Sequence, residues 1–314
     1  MHLSRRKFLE ATAATCAGSA FTPTFVRSAF RPTFVARTAA PASPITWGYA
    51  AITWGDAVEQ AIADIAAVGF HGIQLRANAV AQYGQRPSAL RDLLQKHHLE
   101  MVCLSSGNLS IDPAREEREL ALHVDHAAFV RDLGGKYIQV IDERPKRALV
   151  DDDYRRLGRL MTELGKRTAD VGIPLVYHHH MNSIGERPDE IRKVLDATDP
   201  RRVGLLFDVA HYQQGGGDPV KAARQYRDWL KVLHIKDVES PVPGATGDLS
   251  RSYRFVELGR GTVDLTAVWK AIEEVKFQGW ALVELDRVPD NRETPKEAAA
   301  ICKRYLETRL GVTV

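Results

Sequence analysis

The chain has 314 residues, enough for one large domain or two ordinary ones, and its 44% hydrophobic and 26% charged residues are typical of a folded globular protein. This composition suggests neither disorder nor a membrane span. The formal net charge is +3, but residues 1–42 contain six Lys/Arg and one acid, so the remainder is near −2. A basic surface for nucleic acid is therefore not expected.

The N-terminus differs from the rest of the chain. The segment "MHLSRRKFLEATAATCAGSAF" joins Arg5 and Arg6 to Phe8 and Leu9, and a weakly apolar stretch of Ala and Thr follows. It resembles a twin-arginine export signal. We therefore expect residues 1–42 to be signal and linker, and the protein to be exported to the periplasm. The stretch is too short and too rich in alanine to span a bilayer by itself, so no stable membrane insertion is expected.

Beyond residue 42, cysteine is rare. Only Cys103 and Cys302 remain, which excludes a disulfide framework by number. Two buried free thiols are the expectation, and a single bridge between them stays open.

Short apolar segments alternate with amphipathic segments of helical period from residue 45 onward. The predicted strands are 45–52, 72–76, 100–106, 137–141, 174–180, 203–209, 231–237 and 280–286. The predicted helices that follow them are 56–69, 88–98, 116–134, 153–172, 188–198, 219–230, 265–276 and 295–310. Strict β/α alternation with continuously apolar strands predicts a parallel sheet covered on both faces.

Eight such units predict an α/β fold, a single (β/α)8 TIM barrel over residues 43–314. An open doubly wound sheet is the alternative, but the first strand is not followed by a glycine-rich phosphate turn. The longest irregular segment, 238–263, lies between the seventh strand and its helix. A barrel would place that segment over the mouth of the active site.

Ionisable residues gather at the predicted carboxyl ends of strands five to eight, where TIM barrels hold their chemistry. They are His178, His179, His180, Asp208, His211, His234, Lys236, Asp237, Glu284 and Asp286. Because side chains alternate along a strand, His178 and His180 share one face and His179 takes the other. Imidazoles together with carboxylates suit Mn²⁺, Co²⁺, Zn²⁺ or Fe²⁺, whereas Mg²⁺ and Ca²⁺ favour oxygen ligands.

The same strand ends carry a family resemblance. The segments "YHHHMNS", "LLFDVAHYQQGGGDP", "VLHIKDV", "ELGRGTVD" and "WALVELD" resemble xylose isomerase-like TIM barrels, the sugar phosphate isomerase/epimerase superfamily, and most of all inosose dehydratase-like proteins. The resemblance implies one divalent metal held by His178, Asp208, His234 and Glu284. At the first of these positions the sugar epimerases have a glutamate that serves as one of two opposed acid/base groups, so His178 disfavours two-sided epimerisation.

A metal of this kind would stabilise the enediolate that forms when a base removes the proton beside the carbonyl of a keto-sugar or cyclitol. Return of the proton to the neighbouring carbon is isomerisation, whereas loss of a β-hydroxyl is dehydration of an inosose-like or 3-keto-sugar substrate. The residues proposed for proton transfer and its support are His180, Glu284, His211 and Lys236, with His211 orienting Asp208 or polarising the substrate. Those proposed for substrate contact are Gln74, Arg260 and Trp54.

Two other functions stay open. A non-catalytic periplasmic barrel that binds metal or sugar would be consistent with the absent glutamate. A nuclease on the same barrel would need further ligand histidines and a basic face, which the charge near −2 disfavours. Substrate identity and homo-oligomer formation are left open.

Overall fold

A computed structural model describes residues 45–247, 249–291 and 293–314, and the predicted signal in residues 1–42 lies outside them. The strands are β1 (Ile45–Ala50), β2 (Gly72–Arg76), β3 (Glu100–Ser110), β4 (Tyr137–Glu143), β5 (Leu175–His178), β6 (Val203–Asp208), β7 (Leu230–Ile235), β8 (Asp237–Glu239), β9 (Arg254–Val256) and β10 (Gly279–Val283). Eight of them form a closed parallel barrel in the order β1-β10-β7-β6-β5-β4-β3-β2, and β8 pairs with β9 separately.

Every barrel strand is followed by at least one helix. The α-helices are α1 (Val58–Val68), α2 (Ala77–Tyr83), α3 (Pro87–Lys96), α4 (Glu116–Asp132), α5 (Asp151–Asp170), α6 (Pro188–Asp196), α7 (Val209–Gln214), α8 (Pro219–Gln225), α9 (Leu265–Glu274) and α10 (Pro295–Tyr305). The predicted TIM barrel is thereby confirmed.

Local sequence sets several helix boundaries. Thr294 caps α10 by accepting a hydrogen bond from the Glu297 backbone N–H, and the Glu297 carboxylate bonds back to the Thr294 N–H. Asp218 caps α8 by accepting hydrogen bonds from the backbone N–H groups of Val220 and Lys221. A proline begins each of these two helices. A capping carboxylate or hydroxyl satisfies N–H groups that have no partner inside the helix.

The structure departs from the predicted elements in three places. Helices α2 and α7 are additional short elements, and segment 238–263 is not wholly irregular because it contains the antiparallel pair β8 and β9. The fifth strand ends at His178, so His179 and His180 lie beyond it. Pairing along β5 stops where the chain turns toward α6, and an apolar pattern alone does not show that end.

The barrel interior has an apolar layer beneath a polar one. Val176, Leu206, Val232 and Leu282 belong to one buried apolar cluster. Each lies two residues before His178, Asp208, His234 and Glu284 respectively, and residues two apart on a strand point to the same side. The packed layer therefore closes the barrel below these four polar side chains.

Within the described part of the chain, Cys103 and Cys302 are both buried and free, as expected. No helix there is long and apolar enough to cross a membrane.

Candidate metal centre and active site

The four candidate ligands lie side by side at the carboxyl ends of strands that neighbour one another in the barrel. His178 and Asp208 end β5 and β6, His234 is the next-to-last residue of β7, and Glu284 follows β10. Their exposed fractions are 2%, 0%, 0% and 6%. Two imidazoles and two carboxylates thus converge in a buried place, which is a donor set suited to a transition-metal ion.

Gln74 on β2 fixes the orientation of His234. A carboxylate can only accept, so the Gln74 amide nitrogen faces Glu284 Oε2 at 3.5 Å, and the amide oxygen accepts a 3.0 Å hydrogen bond from His234 Nε2. The lone pair of His234 is then on Nδ1, which lies 3.5 Å from both Asp208 Oδ2 and Glu284 Oε2. The lone pair of His234 Nδ1 therefore faces two carboxylate oxygens, Asp208 Oδ2 and Glu284 Oε2.

Buried polar atoms without a partner mark the same place. Among the described residues they include His178 Nδ1, Asp208 Oδ2 and His234 Nδ1. A buried polar atom left unpaired costs about 1–3 kcal/mol. A divalent cation bound among the three would satisfy all of them, so these residues fit a metal ion.

Asp208 has one oxygen engaged and one available. Its Oδ1 accepts hydrogen bonds from the backbone N–H groups of Ala210, at 2.9 Å, and His211, at 2.8 Å. Burial raises the pKa of this carboxyl, but contacts with His234, Lys236 and the backbone donors outweigh burial and lower it. Asp208 is consequently an anion whose Oδ2 can bind a cation.

Lys236 places an ammonium group inside the barrel. Its Nζ donates to Glu284 Oε1 at 2.9 Å and to Asp286 Oδ1 at 2.6 Å, and it lies 3.8 Å from the centre of the Phe255 ring. Burial alone would lower the pKa of Lys236, but Asp286, Glu284 and Asp208 raise it above its ordinary value. The charged amine therefore holds one oxygen of Glu284 in place.

Asp237 follows Lys236 in the sequence, but the two side chains have different partners. The Asp237 carboxylate accepts hydrogen bonds of 2.9 to 3.1 Å from the backbone N–H groups of Val238, Gly259, Gly261 and Val263. A Cβ at Gly261 would come within 2.2 Å of Asp237 Oδ1, so only glycine permits this approach. Asp237 thus holds the segment between β9 and α9.

His180 is the partly exposed member of the triple-histidine segment. Its Nδ1 donates a 2.7 Å hydrogen bond to the Met181 carbonyl, which leaves the lone pair on Nε2. The chain that follows is anchored by Asp142, which accepts hydrogen bonds from Tyr177 and from the Ile184 backbone N–H. A fixed imidazole with an available Nε2 has the properties of a general base.

The His211 ring packs against that of His180. The two rings lie 3.9 Å apart, and the His211 imidazole contacts the Met181 N–H at 3.3 Å and Lys236 Nζ at 3.4 Å. Burial, and then repulsion between protonated forms of His211 and His180 and from the charged Lys236, lower the pKa of His211 well below its ordinary value, so its ring is neutral. The backbone N–H of His211, and not its ring, donates to Asp208 Oδ1, so the roles expected for this imidazole, orienting Asp208 or polarising the substrate, stay predictions.

A nitrogen of His211 is also close enough to complete a metal site. One donor atom from each of His178, Asp208, His211 and Glu284 lies within 4.8 Å of the others, and the same holds for His178, His180 and His211. The neutral His211 ring has a single lone pair, which the Met181 N–H or the Lys236 amine already engages, whereas the lone pair of His234 on Nδ1 has no donor. The geometry therefore favours His234 as the fourth ligand.

His179 lies behind the mouth, where strand alternation predicts it. It is fully buried with its ring 5.5 Å from Phe207 and 5.8 Å from Tyr212, and its Nε2 accepts a 3.3 Å hydrogen bond from the Asp208 N–H. Burial lowers the pKa of His179 to about 4, so the ring is neutral. Its role is to pack against Phe207 of β6 and Tyr212 of α7 and to position the end of β6.

A polar cavity of about 280 Å³ opens above the ligands. Its wall includes His178, His180, Asn108, Gln139, Arg76, Glu284 and Asp286. Amide groups and a guanidinium can bond the hydroxyl groups of a small polyol. Asn108 and Gln139 are additions to the predicted site. Being uncharged, they do not belong to a pattern of ionisable residues, and only Asn108, near the carboxyl end of β3, has a position that could have indicated it.

The three residues expected to touch substrate lie elsewhere. Gln74 is 2% exposed and bonds to the candidate ligands, below this cavity wall. The Trp54 indole is buried and its N–H donates a 2.9 Å hydrogen bond to Asp64 of α1, so this residue packs in the core and does not face the cavity. Arg260 pairs with Glu257 and Glu293 and lines a different cavity.

Known proteins share this arrangement of the chain. The family model described as a xylose isomerase-like TIM barrel matches residues 62–305. An inosose dehydratase from Lacticaseibacillus casei is 29% identical over 276 residues, covering 81% of this chain and 90% of that protein. The rhizopine catabolism protein MocC from Rhizobium meliloti is 30% identical over 79% of this chain and 81% of its own length. The crystal structure of the IOLI protein with a zinc atom covers 84% of this chain and 97% of that one, with 19% identity and a TM-score of 0.68. The chain therefore belongs to the xylose isomerase-like TIM barrel family.

Proposed function

We propose that this protein is a divalent-metal-dependent enzyme that removes the proton beside the carbonyl of a keto-sugar or cyclitol and then expels a β-hydroxyl as water. The observation that carries the proposal is His180, whose Nε2 is available as a base in the polar cavity next to the four candidate ligands. The similarity to an inosose dehydratase and to MocC supports a sugar-acting enzyme.

The ligands would be His178, Asp208, His234 and Glu284, and the zinc in the IOLI structure supports a divalent ion without deciding among Mn²⁺, Co²⁺, Zn²⁺ and Fe²⁺. When bound, the ion supplies positive charge beside the substrate carbonyl oxygen and so acidifies the neighbouring C–H.

His180 Nε2 is the base that accepts this proton, and the electron pair of the broken C–H bond moves toward the carbonyl oxygen. The Met181 carbonyl holds the other ring nitrogen and stabilises the imidazolium that forms. His180 then returns the proton to the departing β-hydroxyl, so that water leaves and a carbon–carbon double bond forms. One residue thus serves as base and then as acid.

The other ionisable groups on the cavity wall do not supply a clear second base. Asp56 accepts a hydrogen bond from Asn78, and Glu284 and Asp286 both accept hydrogen bonds from Lys236. The pKa of His178 is well below its ordinary value because of burial and the nearby His234. Epimerisation needs bases on both faces of the carbon, so elimination is favoured. Isomerisation is the second candidate, because His180 can also return its proton to the neighbouring carbon.

Product analysis tests this proposal. Metal-loaded protein is mixed with 2-keto-myo-inositol and with 3-keto-glucose, both of which have a hydroxyl β to the carbonyl, and products are followed by mass spectrometry and ultraviolet absorbance. A product lighter by one water with a conjugated carbonyl supports dehydration, and a product of unchanged mass supports isomerisation. Neither product from a panel of keto-sugars and inososes would contradict the enzyme assignment and leave the binding-protein alternative.

We also propose that Arg5 and Arg6 direct export through the twin-arginine pathway, as the sequence of the leader indicates. Changing both to lysine should leave the precursor in the cytoplasm. An unchanged periplasmic yield would contradict this proposal.

A further inference from the structure

A second, larger cavity adjoins the candidate active site. Its volume is about 1050 Å³, and His180 and Asp286 line both it and the 280 Å³ cavity. Ligand pockets for drug-sized molecules measure about 300 to 1,000 Å³, so the smaller cavity suits one small ring whereas the larger one has room for more. A molecule that reacts at His180 can therefore extend past it into the larger space.

The wall of the larger cavity includes Phe255, on β9, and Tyr253, which immediately precedes β9. Phe255 packs against His211 at 4.7 Å, and the Tyr253 ring lies 5.6 Å from Phe255. Both aromatic side chains are only partly buried. Aromatic faces of this kind are suited to pack on the C–H groups of a sugar ring.

Ion pairs fix this wall on two sides. Arg251 bonds to Glu186, in the segment after β5, at 2.7 Å. Arg254 bonds to Glu239 of β8 at 2.6 Å and to Asp290, beyond β10, at 2.7 Å. The cavity is therefore bounded by segments that are tied to the barrel on either side of the mouth.

Arg287 supplies available donors to the same cavity. It is exposed, lines the larger cavity and, within residues 45–247, 249–291 and 293–314, has no carboxylate at ion-pair distance. A guanidinium has five N–H donors, which can bond to several hydroxyl oxygens. Aromatic faces together with available donors in one cavity are the chemistry of a carbohydrate subsite.

We infer that the larger cavity is a second sugar subsite, and that the substrate is a keto-sugar joined through a glycosidic bond to a further sugar ring. This inference rests on the proposed function: the keto ring occupies the small cavity, and the attached ring contacts Tyr253 and Arg287. The linked ring contributes binding free energy, and the test therefore measures binding and not turnover.

The test compares two probes that share the keto ring, methyl 3-keto-glucoside and 3-keto-sucrose. Affinities are measured by calorimetry on the metal-loaded protein. The two-ring probe should bind at least about tenfold more tightly, equivalent to about 1.4 kcal/mol. Arg287→Ala and Tyr253→Ala should each reduce this ratio toward one and leave the affinity for the one-ring probe unchanged.

Gln139→Ala is the matched control, because Gln139 lines the small cavity alone. It should weaken both probes equally and retain the ratio. Equal affinities in the unaltered protein, or a ratio that both Arg287→Ala and Tyr253→Ala retain, would overturn the second subsite. Solvent proton exchange into either probe is scored separately, so its absence counts against the enzyme and not against the subsite. Failure of both probes to bind would overturn the sugar assignment of both cavities.

Discussion

Replacing Asp237 with asparagine should destabilise the barrel by an amount that follows from its hydrogen bonds. Oδ1 accepts from the N–H groups of Val238 and Val263, and Oδ2 from those of Gly259 and Gly261. Asparagine keeps one oxygen and puts an NH₂ group against the other two donors, whichever way the amide is turned. The amide can turn its NH₂ group toward the N–H groups of Gly259 and Gly261, whose hydrogen bonds are only partly buried, so the free energy of unfolding should fall by about 1–3 kcal/mol in total.

Chemical denaturation of Asp237→Asn measures this loss. Asp264→Asn is the matched control on the same segment, because Asp264 caps α9 through a single bond to the Ala267 N–H and asparagine caps helices equally well. Its free energy of unfolding should change by less than about 0.5 kcal/mol. A loss below about 1 kcal/mol in Asp237→Asn would refute the reasoning that four backbone donors depend on this carboxylate.

Three further predictions concern the ligands and the buried histidines. Gln74→Leu removes the groups that hold His234 and Glu284, so the metal affinity measured by titration should fall about 10- to 100-fold, whereas Gln139→Leu should leave it unchanged. Equal metal affinities in the Gln74→Leu variant and the unaltered protein would contradict the role of Gln74. His234→Ala should lose bound metal in elemental analysis and His211→Ala should keep it, and the reverse result would move the fourth ligand to His211. Burial lowers the pKa of His123 to about 4 from its ordinary 6.5. Between these two pH values the unfolded state binds more protons at this residue than the folded state does. The contribution of His123 to the free energy of unfolding should therefore decline as pH falls from 6.5 to 4, by about 1.4 kcal/mol per pH unit. His123→Gln should flatten that decline relative to the exposed His71→Gln, and identical slopes would contradict it.

The barrel could be predicted because its strands are continuously apolar and its helices amphipathic. Segment 238–263 could not, since β8 and β9 are three residues each and form only by pairing across the chain. The residue at which a strand ends also depends on pairing with its neighbours, which the sequence pattern does not show. A run such as 174–180 stays apolar or aromatic after its ladder has stopped at His178.

The convergence of the four candidate ligands at one end of the barrel could be predicted because each follows an apolar strand, but their hydrogen-bond partners could not. Gln74 is far from His234 in sequence and meets it only across the closed barrel. Lys236 and Asp237 are adjacent, yet alternation sends the first into the barrel and the second toward the backbone of residues 259–263. Charge pairing between sequence neighbours on a strand is therefore a poor expectation.

Solvent deuterium exchange with His180→Ala tests the central claim most directly. Metal-loaded protein and a bound keto-cyclitol are incubated in D₂O, and deuterium at the carbon beside the carbonyl is followed by NMR together with the metal content. Because His180 Nε2 is the proposed base and the ligands are other residues, the variant should retain one divalent ion per chain and lose exchange by a factor of about 10² to 10⁴. Exchange at the unaltered rate in His180→Ala with full metal would contradict the account.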